Sequence, residues 1–128
     1  MCLLWHPIRF LLELNTSKLM KWFKIETAIP SQDFVNEIVV NGRKLCLVRY
    51  ESELHAIQHT CPHAGGILSG GWCKEGNIIC PIHRWGYDLR TGRGAEGQGD
   101  YIKVYPLDLR ADGVYVGFKE SLWERFFR

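Results

Sequence analysis

A chain of 128 residues, 46% hydrophobic and 23% charged, has the size and balance of one globular domain. Its 16 Lys and Arg against 14 Asp and Glu give a net charge of +2 with no basic run, which leaves no electrostatic footprint for nucleic acid. The 5 cysteines, an odd number at irregular spacing, do not make a disulfide framework and fit a reducing, cytoplasmic compartment with thiols free or on metal.

In chain order, residues 1–19 come first. Leu3, Leu4, Trp5, Ile8, Phe10, Leu11 and Leu12 are interrupted by His6, Pro7, Arg9 and Glu13, short of the roughly 18 apolar residues that a membrane span needs. A basic start and a small-residue cleavage site, the marks of a secretory signal, are missing from this stretch. It reads as an N-terminal extension, with Met20 the more natural first residue. Trp22 to Ile29 reads as a strand stopped by Pro30. Glu37–Val40 and Arg43–Tyr50 flank Asn41-Gly42, the strongest short hairpin signal. A turn at Glu51-Ser52-Glu53 leads to a strand from Leu54 to Gln58, and Ile78-Ile79 sit on another short one. Gly92 to Asp100 is glycine-rich but lacks the Lys-Ser/Thr ending of a phosphate cradle, so it reads as a flexible connection. Tyr101–Arg110 and Val114–Phe118 form a last hairpin around Ala111-Asp112-Gly113. Leu122, Trp123, Phe126 and Phe127 then recur at helical spacing in a C-terminal tail, 120–128, that caps the core. Short strands without a sustained helical period predict an all-β domain over residues 20–119, an antiparallel β-sandwich or barrel with projecting loops.

Two of those loops carry chemistry. Cys61-x-His63 is followed, after sixteen intervening residues, by Cys80-x-x-His83. A zinc finger takes its two cysteines from one knuckle and its histidines from elsewhere, whereas here each loop offers one thiolate and one imidazole. That distribution suits a binuclear centre, with each loop giving one ligand to each metal; a zinc-bound structural module is the competing reading. Pro62 and Pro81 fix the backbone after each cysteine, and Gly65, Gly66 and Gly86 let the chain bend closely with N–H groups aimed at sulfur. Cys46, between Leu45 and Leu47, reads as a core residue, and Cys73 as a plain thiol. His55 and His59 lie near the first loop but are not needed as ligands.

Cys-Pro-His-Ala-Gly-Gly-Ile-Leu at 61–68 and Cys-Pro-Ile-His-Arg-Trp-Gly-Tyr-Asp-Leu-Arg-Thr-Gly at 80–92 resemble the Rieske ferredoxins of bacterial ring-hydroxylating dioxygenase systems. Val104-Tyr105-Pro106-Leu107 and Val114-Tyr115-Val116 extend the resemblance. It implies one [2Fe–2S] cluster per chain, with Cys61 and Cys80 on one iron and His63 and His83 on the other. It implies a cluster-binding subdomain of two loops and a soluble one-electron carrier, not itself an enzyme, that passes electrons from a flavoprotein reductase to a terminal oxygenase. A small subunit of a larger redox enzyme, such as nitrite reductase, is the alternative. Respiratory relatives carry an extra cysteine in each loop; Gly66 and Ile82 stand about there, so no disulfide shields the centre. The imidazoles project outward in the family, and Trp85, Ala64 and Ile67 are expected to line the docking rim around them. Tyr87, four residues after His83, is expected to donate its hydroxyl to a cysteine sulfur, so that Tyr87→Phe lowers the midpoint potential. Gly66, Trp85 and Tyr87 thus surround the cluster without binding it.

Overall fold

A run of four buried residues, Leu45-Cys46-Leu47-Val48, sits at the centre of the fold. Side chains alternate along a strand, so a continuous apolar run means apolar layers on both faces. The computed structural model describes residues 20–63 and 65–119; the expectations for residues 1–19, Ala64 and the C-terminal tail lie outside them. The described strands are β1 (Met20–Lys24), β2 (Phe34–Val40), β3 (Arg43–Tyr50), β4 (Glu53–Gln58), β5 (Trp72–Lys74), β6 (Asn77–Ile79), β7 (Gly86–Asp88), β8 (Val104–Tyr105), β9 (Leu107–Arg110) and β10 (Gly113–Lys119). They form three antiparallel sheets, ordered β1-β10-β9, β2-β3-β4-β8 and β5-β6-β7.

From β3, Leu45 and Leu47 enter one core with Ile38, Val40, Ala56, Val116 and Phe118 of the first two sheets and with Ile25 just after β1. Cys46 and Val48 enter the other with Ile57, Leu68, Ile78, Tyr87, Leu89 and Ile102, and this second core also contains Cys61 and Cys80. Each fully buried aliphatic or aromatic side chain there contributes about 1.5–3 kcal/mol. The two cysteine loops are therefore anchored by apolar burial on the β2-β3-β4-β8 sheet. The antiparallel sandwich expected from the sequence is present, and the cluster subdomain has a three-stranded sheet of its own.

Asn41 and Gly42 both have positive φ, +50° and +76°, as the tight hairpin turn between Val40 and Arg43 requires. Several strand boundaries differ from the sequence reading. β1 ends at Lys24, not Ile29, because its ladder with β10 runs only from Met20 opposite Lys119 to Lys24 opposite Tyr115. β2 begins at Phe34, ahead of Glu37, because β3 is long enough to pair it as far as Arg49. The expected strand Tyr101–Arg110 is two strands split at Pro106, which has no N–H for a ladder. β8 pairs with β4, whereas β9 pairs with β10, so the chain changes sheets at that proline. Among the described residues no helix is long and apolar enough to cross a membrane.

Candidate metal centre

Both motif loops are closed in the same way. Cys61 N–H donates to the Gly66 carbonyl at 2.7 Å, and Cys80 N–H donates to the Trp85 carbonyl at 2.7 Å. Each cysteine is thus tied to the carbonyl five residues ahead. The first loop is further pinned by Gly65 N–H to the Cys61 carbonyl (2.9 Å) and Leu68 N–H to the His59 carbonyl (2.9 Å). In the second, His83 and Arg84 adopt φ of +65° and +57°. Left-handed backbone costs a non-glycine residue roughly 1–2 kcal/mol, and such strain concentrates at functional sites.

The loops bring the four candidate donors together as two like pairs, sulfur with sulfur and imidazole with imidazole. Cys61 and Cys80 are 1% and 0% exposed and lie in side-chain contact, while His63 and His83 are exposed. The imidazole ring centroids are 5.3 Å apart at 67°. Among the described residues no three His, Cys, Asp or Glu side chains gather as one metal ion would need. A buried sulfur pair and an exposed nitrogen pair could hold two metals, with two protein ligands each. Burial pushes the Cys80 thiol pKa up; a hydrogen bond from the Ile82 backbone opposes this, and the adjacent Cys61 sulfur adds to it. A metal bound by such a pair would displace the thiol protons to solvent, its positive charge favouring the thiolates.

Glycine is what lets the first loop approach the Cys80 sulfur. A Cβ added at Gly66 would lie 2.9 Å from Cys80 Sγ and 3.0 Å from Ile82 Cδ1. Gly66 and Ile82, where the shielding cysteines of respiratory relatives would stand, therefore face each other with only glycine able to leave the sulfur its place. Gly66→Ala is expected to lower metal retention by roughly tenfold or more, in the range of supporting-residue substitutions. Iron content after challenge with a chelator checks this. Retention equal to that of the unsubstituted chain would show that the sulfur has room to move.

Trp85, expected on the docking rim, is half-buried and stacks flat on His63, with centroids 3.8 Å apart and planes at 10°. It fixes the orientation of that imidazole. Ile67, 50% exposed, and Ile82, 42% exposed, are apolar side chains at the surface of the two loops. Tyr87 is fully buried on β7, its Oη 3.3 Å from Cys61 Sγ and 2.8 Å from Asp100 Oδ2. Burial, together with the sulfur and the carboxylate, pushes its pKa up, so the hydroxyl keeps its proton.

The remaining candidates have other neighbours, although Cys46 shares the second core with Cys61 and Cys80. Cys46 is core, its pKa pushed up to about 12 by burial and then by Cys73. Cys73, on β5, is pushed up to about 11 by burial and then by Asp33. His55 faces Glu53 at 3.6 Å and His59 faces Glu37 at 3.3 Å. Gly92 to Asp100, read as a flexible connection, is instead a hydrogen-bonded loop. Ala95 N–H donates to the Gly86 carbonyl (3.0 Å), Gly94 N–H to the Asp100 carbonyl (2.9 Å) and Ile102 N–H to the Gly92 carbonyl (2.7 Å). Gln98 and Asp100, which reach β7 from this loop, are the residues near the site that sequence reasoning missed.

Comparison with known proteins agrees with this geometry. The family model of the Rieske [2Fe–2S] domain matches residues 22–106. The ferredoxin component of a naphthalene 1,2-dioxygenase system from Pseudomonas aeruginosa is 30% identical over 89 residues, 69% of this chain and 85% of the relative. Among solved structures, the ferredoxin of carbazole 1,9a-dioxygenase from Nocardioides aromaticivorans superposes with a TM-score of 0.59 at 25% identity, over 73% of this chain and 90% of that one. A nitrite reductase small subunit structure from Mycobacterium tuberculosis reaches a TM-score of 0.62 at 19% identity, over 80% and 98% of the two chains, a likeness of fold alone.

Proposed function

This chain belongs to the Rieske [2Fe–2S] family, and on that premise we propose that it is a one-electron carrier whose cluster is held by Cys61, Cys80, His63 and His83. The observation that carries the ligand assignment is the sorting of the donors, with a buried sulfur pair and an exposed imidazole pair on two identically closed loops. When bound, a cluster with two neutral imidazoles and two thiolates accepts and returns a single electron at roughly −150 to +300 mV, against about −400 mV for a plant-type ferredoxin.

The chain's own residues give that chemistry a direction. Cys61 and Cys80 sit inside the second core, away from solvent. His63 and His83 stand at the surface, so an electron leaves or enters through the imidazoles with little protein in between. Trp85 holds the His63 ring flat, limiting the reorganisation of that edge. Ile67 and Ile82 flank the exit with apolar surface, which suits the small, transient interfaces of redox partners.

The likeness to ferredoxin components of dioxygenase systems supports a flavoprotein reductase as donor and a terminal oxygenase as acceptor. It also supports a carrier role with no substrate chemistry of its own. A reducing, cytoplasmic location fits a chain whose Cys46 and Cys73, outside the donor set, are thiols in no disulfide. The nitrite reductase likeness is one of fold and adds no argument from the site.

Anaerobic purification from iron-replete cells tests the reading. The expected result is a red-brown protein with iron and acid-labile sulfide in equal amounts and a rhombic EPR signal after reduction. A colourless, redox-silent protein containing zinc would sink it.

A further inference from the structure

The loop from Gly94 to Asp100 grips the strand next to the cysteines through two side chains. Gln98 Oε1 accepts the Gly86 N–H at 3.1 Å, and Gln98 Nε2 donates to the Gly86 carbonyl at 3.0 Å. The same Nε2 lies 3.4 Å from Asp100 Oδ1. The other carboxylate oxygen, Oδ2, accepts the Tyr87 hydroxyl at 2.8 Å, and that hydroxyl oxygen is 3.3 Å from Cys61 Sγ.

A phenol has one proton to donate. Two acceptors compete for it here: a carboxylate at short range and, once Cys61 is bound to iron as thiolate, a sulfur with no proton of its own. Both acceptors are anionic, but the carboxylate takes the O–H at 2.8 Å, the full-strength distance of an O–H···O bond, whereas a sulfur bound to iron would share its charge with the metal and accept more weakly. The proton therefore lies on the Asp100 side, and the hydroxyl presents a lone pair to the sulfur.

We propose that Asp100 is a positioning residue that holds the Tyr87 hydroxyl proton away from Cys61 and so keeps the cluster's midpoint potential low. The inference rests on the cluster assignment above. It confines the sequence expectation for Tyr87→Phe to proteins in which Asp100 no longer competes.

The test is a double-mutant cycle of Asp100→Asn and Tyr87→Phe in the cluster-loaded protein, read as midpoint potentials by EPR-monitored titration. Asp100→Asn is expected to favour the reduced state by about tenfold, about 59 mV for one electron, because the hydroxyl then turns to the sulfur. Tyr87→Phe is expected to shift the equilibrium by less than about twofold alone, yet to lower it by about tenfold in the Asp100→Asn background. Resonance Raman adds a second readout: iron–sulfur stretches gain deuterium sensitivity in Asp100→Asn only when Tyr87 is present.

A shift of the same size in both backgrounds would mean that Asp100 acts through its charge alone, and would overturn the proposal. A tenfold fall from Tyr87→Phe in the presence of Asp100 would overturn it without the second variant, including where Asp100→Asn fails to load. Iron and sulfide content are measured first in all four proteins. A missing cluster throughout then marks failure of the assignment, and a loaded set with equal shifts marks failure of the Asp100 role.

Discussion

Cys80→Ser is expected to yield a colourless protein that retains the β-sheet circular dichroism of the unsubstituted chain. Cys80 directly follows β6 and is fully buried, in contact with Cys61. A serine hydroxyl stays protonated where a thiol on metal does not, so one of the two sulfur attachments is lost. Even residues that merely support a ligand change metal affinity by about 10–100-fold, so losing the ligand itself is expected to exceed roughly 100-fold. The fold survives because Cys46, Val48, Ile57, Leu68, Ile78, Tyr87, Leu89 and Ile102 fill that core without the donors. What stability is lost is the share that binding adds by mass action. Cys73→Ser is the contrast. Its thiol sits on β5, is held protonated by burial, and only packs, half-buried, against the edge of the core that joins Cys61 and Cys80, so iron content should be unchanged. Iron and sulfide assay separates the two variants. Stoichiometric iron with an unaltered EPR line shape in Cys80→Ser would remove that cysteine from the ligand set.

What the sequence made legible was local. Cys61 with His63 and Cys80 with His83 are each within three residues, so their chemistry could be read before any contact was known. Asn41-Gly42 encoded its turn within two residues, and the φ values bear it out. What stayed hidden depends on partners distant in the chain. β5 and β7 have three residues each, too few for alternation to show, and exist because β6 pairs with both. The change of sheets at Pro106 is decided by which neighbour each side finds, β4 or β10. Asp100 reaches Tyr87 across 13 positions and Gln98 reaches Gly86 across 12, separations that no periodic pattern records. A glycine-rich composition suggested mobility there, whereas the glycines allow close approach: a Cβ at Gly94 would lie 2.7 Å from the Asp100 carbonyl oxygen.

Gly71→Ala is expected to be among the most damaging of the conservative changes outside the donors, for a reason of space alone. Gly71 follows the 3-10 turn Leu68–Gly70 and has φ of −91° and ψ of −159°, extended backbone that alanine adopts without strain. Its added methyl, however, would sit 1.9 Å from the carbonyl oxygen of Ile79. That oxygen belongs to backbone, so it cannot swing aside as a side-chain tip would, and β6 must move as a unit. β6 is paired on both edges, with Ile79 opposite Trp72 on one side and Gly86 on the other. Moving it breaks two ladders and shifts Cys80, the next residue. Overpacking in a tight site typically costs about 1–3 kcal/mol, and a clash with doubly paired backbone belongs at or beyond the top of that range, about 3–5 kcal/mol. For a domain of this size that is a fall in melting temperature of roughly 12 °C or more. Thermal unfolding followed by circular dichroism and by visible absorbance should show both signals displaced together, with iron content reduced before heating. An unchanged melting temperature would mean that the two loops do not approach as closely as Gly71 and Ile79 place them, and the shared footing of Cys61 and Cys80 would go with it.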